Sequence, residues 1–146
     1  MKTFALLLLL ALSVPLSAAD VSSPVGKWMT IDDKSGKPGG IIRIELVGGE
    51  YKGWIEKIFP DPDEDPNPKC VYCDGARKNQ PVLGLNFMWG LTKEGDEFSG
   101  GEILDPRTGK IYRARLRLED GGKSLNVRGF IGFSLLGRSQ VWHRAE

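Results

Sequence analysis

The chain carries one histidine and two cysteines in 146 residues, and its charges nearly cancel, with 20 lysines and arginines against 19 aspartates and glutamates. Each scarcity excludes a class of function. The lone His143 has no paired motif around it, and there is no nucleophile elbow, so no hydrolytic triad is legible. Glu56 and Asp105 are candidate acids, but Glu56 falls on an outward strand face and Asp105 in a turn. The sequence therefore predicts a protein that is not an enzyme, with redox use of the cysteine pair left open. A structural zinc site needs four ligands, and one Cys-x-x-Cys with one remote histidine falls short. Asp74, not histidine, follows the second cysteine, which excludes a c-type haem. No metal and no cofactor are expected. Balanced charge gives nothing to favour nucleic acid or an anionic membrane. No later apolar run approaches the roughly 20 residues that a membrane span requires.

A short basic start, Met1-Lys2, precedes the apolar run Phe4 to Leu12, and Ser17-Ala18-Ala19 supplies small residues before Asp20. This pattern reads as a secretory signal peptide over residues 1–19, cleaved after Ala19. A periplasmic or secreted protein follows. Removing the first 19 of 146 residues leaves 127, one domain spanning 20–146, with 19 basic and 19 acidic residues.

That domain is rich in glycine and has turn signals about every ten residues, as all-β folds do. Ile41–Val47 and Glu50–Ile58 flank Gly48-Gly49, a two-residue turn whose centre needs positive φ. The register then sets Leu46 opposite Tyr51, Ile42 opposite Ile55, Glu45 opposite Lys52 and Arg43 opposite Trp54. "DPRTG", Asp105 to Gly109, turns a second hairpin and pairs Ile103 with Tyr112 and Glu102 with Arg113. A third turns at Asp120-Gly121-Gly122 and pairs Leu118 with Leu125. Leu85, Phe87, Trp89 and Leu91 alternate as one inward face, placing Trp89 near Gly101. With Gly26–Ile31 and Arg138–Arg144 the count reaches eight. The expected fold is a single eight-stranded antiparallel up-and-down barrel, with a sandwich as the alternative.

Phe59 to Leu83 is left as one long connection, and such loops are functional, lid-like or disordered. Asp61, Asp63 and Asp65 alternate there like the start of a calcium loop. Pro66 stands at the sixth position and Tyr72 at the twelfth, where glycine and glutamate are required. In an oxidising compartment the nearby Cys70 and Cys73 most simply form a disulfide, a staple at the root of a loop that covers one barrel mouth. Redox chemistry and metal binding remain the alternatives.

Two candidate surfaces remain. Tyr51, Phe87, Trp89 and Tyr112 fall on inferred inward faces, with Gly53 and Gly101 beside them leaving space for a small apolar ligand. On the outside, the register places Arg115 opposite Arg128. Like charges facing across a ladder destabilise a bare pair, so either water and salt screen an exposed face, or a nearby acid, a bound anion or an envelope protein partner neutralises the pair.

Gly26-Lys27-Trp28 in the first strand, with Arg144 after Trp142 in the last, resembles the barrel-closing pair of lipocalins. That resemblance implies a cation–π contact between Trp28 and Arg144. "CVYCDG", "GGEILDPRTGKIY", "VRGFIG" and "LLGRSQVWHR", in this order, resemble the bacterial family called domain of unknown function 2147. The resemblance covers nearly the whole mature chain. It implies a small exported lipocalin-like barrel and names no activity. The expected role is binding of a small apolar molecule. The alternative is a non-catalytic envelope interaction module acting through the arginine face or the acidic loop.

Overall fold

The computed structural model describes residues 21–132 and 136–145. The expected signal peptide over residues 1–19 and its expected cleavage after Ala19 lie outside the described residues. Among those described, eight antiparallel strands pair in chain order and close into one barrel. They are β1 (Gly26–Ile31), β2 (Pro38–Val47), β3 (Glu50–Ile58), β4 (Asn86–Glu94), β5 (Glu97–Asp105), β6 (Lys110–Glu119), β7 (Ser124–Phe130) and β8 (Gly137–Ala145). β8 returns to pair with β1 through Trp28↔Arg144, and this closure excludes the sandwich.

The hairpin registers follow from their turns. Gly48 and Gly49 hold φ of 61° and 82°, the positive pair that a two-residue hairpin turn needs. Leu46 then faces Tyr51, Ile42 faces Ile55 and Arg43 faces Trp54. Ile103 faces Tyr112, and Leu118 faces Leu125.

β4 departs from the expected alternation. Gly53 pairs with Met88 and Trp54 with Asn86, so one extra residue is inserted and Phe87 and Met88 are both buried. A second irregularity at Gly90, with φ of 74°, turns Leu91 back into the core. Trp89 is thereby placed outside. It stands opposite Glu102, not Gly101, and its indole N–H donates to Glu102 Oε2 at 3.0 Å. The Asn86 amide donates to the carbonyls of Gly53 and Met88, each at 3.0 Å. It supplies donors where the bulge interrupts the ladder.

The barrel is filled at one end. Trp28, Ile44, Met88, Leu91, Phe98, Leu116 and Leu125 are all buried there, each contributing about 1.5–3 kcal/mol of transfer free energy. The Arg144 guanidinium lies 4.3 Å from the Trp28 ring centroid. It also donates to the carbonyls of Ser23, Val25 and Gly122. The Trp28 indole donates to Pro24 O at 2.8 Å. Residues 23–25 are thus drawn across this end as a floor.

The long loop lies at the opposite end. A bridge between Lys69 and Pro81 and the bonds Cys70 N–H to Gln80 O and Val82 N–H to Pro68 O fold it into a short arm, with one 3-10 turn at Gly75–Arg77. Cys70 and Cys73 stand at disulfide distance, with Cα atoms 5.3 Å apart, and both are buried.

Candidate functional site

β1, β3, β5 and β7 all run away from the floor, so their C-terminal ends frame a mouth. Inside it lies a cavity of about 530 Å³. Ile42, Ile55, Phe87, Leu104, Val127 and Trp142 form its apolar wall, and Ile131 and Leu136 stand at its rim. Thr30, Asp32, Lys57, Asp105, Arg107 and Arg138 provide the polar edge. Apolar walls with a few convergent polar groups are the usual build of a small-molecule site.

One polar group on the wall has a fixed orientation. The Trp142 indole N–H donates to Gln140 Oε1 at 3.0 Å. An indole can only donate, so the Gln140 carbonyl must face it and the amide NH₂ points the other way. That places the NH₂ on the side of Asp33, whose carboxyl pKa it helps, least of the neighbouring groups, to lower. Asp33 receives Arg138 through two of its guanidinium nitrogens, Nε at 2.6 Å and Nη2 on the other carboxylate oxygen. The Arg138 bond holds the Asp33 carboxyl at about 2, against an ordinary value of 3.8, with partial desolvation opposing it. Asp33 in turn raises Arg138.

The ligand-lining candidates divide. Phe87 and Tyr112 line the cavity. Tyr51 lies deeper, edge-on to Phe98 with ring centroids 4.9 Å apart. Gly53 leaves no space, because a Cβ there would come 2.9 Å from the Met88 methyl. Gly101 leaves none either, because the Trp89 carbonyl and the backbone of β4 press against it. Trp89 is on the outer face beneath the Arg77 guanidinium, 4.1 Å from its ring centroid. Sequence reasoning missed Ile42, Ile55, Val127, Gln140 and Trp142 as wall residues. Inward alternation marks all five, but it does not tell the filled half of the barrel from the open half.

Arg115 does face Arg128. The neutralising group is an acid of the chain itself, Glu97, with Oε2 3.4 Å from Arg115 Nε. Arg128 donates to Ser139 Oγ at 3.0 Å. A bulge between Phe98 and Gly101 brings Glu97 into reach of Arg115.

The long loop borders the mouth without roofing it. Among its described residues Val82 reaches the cavity wall. The arm packs instead on the β5–β6 turn, where Cys70 Sγ is 3.6 Å from Pro106 O. Among the described residues no group of three or more His, Cys, Asp or Glu side chains could hold a metal ion. Glu56 is on the outer face, bonded to Lys27 Nζ at 2.6 Å, which lowers its pKa. Asp105 caps its own turn through the Arg107 N–H, and His143 is exposed on β8.

An eight-stranded closed barrel with a floored end and a cavity at the other defines a lipocalin-like fold. The solved structure titled "Protein HP1028 from the human pathogen Helicobacter pylori belongs to the lipocalin family" has this fold. It superposes with a TM-score of 0.69 at 18% identity, over 84% of this chain and 82% of that one. The chain belongs to the bacterial family described as an uncharacterized protein conserved in bacteria, DUF2147, which matches residues 26–144. No curated protein matches the sequence. Among the described residues, no helix is long and apolar enough to cross a membrane.

Proposed function

We propose that this protein is an exported carrier that binds a small, largely apolar molecule in the mouth-facing cavity, and that it does so without catalysis. The observation that carries the reading is the cavity itself, about 530 Å³ with a wall of Ile42, Ile55, Phe87, Val127 and Trp142. A barrel of this size holds one small ligand when it is not filled by its own side chains. Export rests on the signal-like start and on the cysteine pair, which suits an oxidising compartment. The interaction-module reading has less support, because Arg115 finds its counter-charge in Glu97.

Gly129 gives a direct test. It lines the cavity, its φ is not in the left-handed region, and a Cβ there would meet Ile103 and Tyr112 at 3.5 Å, ordinary contact. Gly129→Leu should therefore fold and extend a side chain into the cavity. With native mass spectrometry of protein purified from the cell envelope, wild type should carry an adduct that leaves on denaturation. The leucine variant should not. An adduct of equal occupancy on both would place the ligand elsewhere, and no adduct together with no uptake of apolar probes would reject the carrier reading.

A further inference from the structure

The contact of Asp33 with Arg138 joins residues 105 apart in sequence and sits where the barrel seam is incomplete. β1 and β8 pair only through Lys27, Trp28 and Met29. Above Met29 the ladder ends, and Thr30, Arg138 and Gln140 become cavity wall. The carboxylate of Asp33 comes from the β1–β2 connection. It takes the bidentate fork of Arg138, the donor geometry that recognises any carboxylate, and the Gln140 amide, turned by Trp142, stands beside it on the same wall.

We infer that the Arg138–Gln140 pair is the seat for the carboxylate of an apolar-tailed acid, occupied in the ligand-free protein by Asp33. The inference rests on the carrier reading and gives its ligand a headgroup. Three features argue for it. The donors stand on the cavity wall, whereas Asp33 is not part of that wall. Trp142 packs in the apolar wall and fixes the Gln140 amide, so one residue links tail contact and headgroup contact. Charge agrees as well. Among the described residues, the charged groups of the cavity are three cations, Lys57, Arg107 and Arg138, and two acids, Asp32 and Asp105. Asp33 makes the balance even. A ligand monoanion that displaced it would do the same.

A bound acid would exchange one carboxylate for another at Arg138, so the intrinsic contact is a competitor that weakens binding. Removing Asp33 should therefore strengthen it. The probes are dodecanoate and dodecanol, which share a tail and differ in the headgroup, titrated calorimetrically into the mature protein. Asp33→Ala should tighten dodecanoate roughly tenfold, the worth of one charged hydrogen bond, and leave dodecanol unchanged. Arg138→Ala should bring the two probes to equal affinity. Asp33→Asn, which keeps the size of the side chain, gives the same reading if the alanine variant loses its fold. If Asp33 variants shift both probes alike, or if dodecanoate and dodecanol bind wild type and Arg138→Ala equally, the contact is a strap and the seat is rejected while the carrier reading stands. If neither probe binds any variant, both readings fail.

Discussion

At the scale of single residues, two positions have consequences larger than their size. Arg144 combines a stack on Trp28 with bonds to three carbonyls from two segments. Its removal leaves those carbonyls short of a donor and uncovers the indole. Arg144→Ala should cost about 3 kcal/mol, read as a lower urea midpoint. Arg144→Lys should recover less than half of that, because an ammonium cannot serve three carbonyls in one plane. Gly109 and Gly121 form a matched pair. Both have left-handed φ, 72° and 61°. A Cβ at Gly109 would run into the Tyr72 backbone, while one at Gly121 meets nothing within 4 Å. Gly121→Ala should cost only the conformational strain, about 1 kcal/mol. Gly109→Ala should cost clearly more and should expose residues 59–83 to proteolysis, because the arm is seated on that turn.

At the scale of elements, the hairpins were legible and β4 was not. A two-residue turn ties β2 to β3, so once Gly48-Gly49 is placed, Leu46 must face Tyr51. No short turn ties β4 to β3. Twenty-seven residues of β3–β4 connection, 59–85, leave its register to packing, and the packing chose a bulge that buries Met88 and expels Trp89. The open half of the cavity was hidden for a related reason. Alternation gives the inward face, but depth along the barrel axis depends on strand stagger, so Tyr51, Gly53 and Gly101 read the same as Phe87 and Tyr112. The contact of Asp33 with Arg138 depends on closure of β8 onto β1, which no local pattern records. The bulge also makes a prediction. Asn86→Ala removes the donors to Gly53 and Met88 carbonyls and should destabilise by about 1–3 kcal/mol. Asn86→Asp should do no better, since a carboxylate offers acceptors only. Equal stability of wild type and Asn86→Ala, measured by urea unfolding, would mean that water satisfies the bulge.

At the scale of the whole molecule, the barrel is closed by two different means. Near the floor, ladder bonds and the Arg144 cluster join β1 to β8. Near the mouth, the join is the contact of Asp33 with Arg138. These parts respond differently to acid. Asp33, with Arg138 and Gln140 on β8, Asp32 beside it and Asp105 on the β5–β6 turn around Arg138, titrates at about 2 in the folded chain against 3.8 ordinarily. A depressed carboxylate pKa means that the unfolded chain binds the proton first. The stabilisation is therefore complete above about pH 4 and is lost as pH falls toward 2. Glu56 and Asp32 are lowered too, by Lys27 and by the Ser35 amide respectively, so the wild-type acid limb is a sum of several groups. Asp33→Asn isolates one of them. Its urea midpoint should lie below that of wild type near pH 7, and the gap should close between about pH 4 and 2 as wild type loses the same contact. A gap that stays constant down to pH 2 would show that the Arg138 contact does not depend on the charge of Asp33, and that the mouth of the seam is held by shape alone.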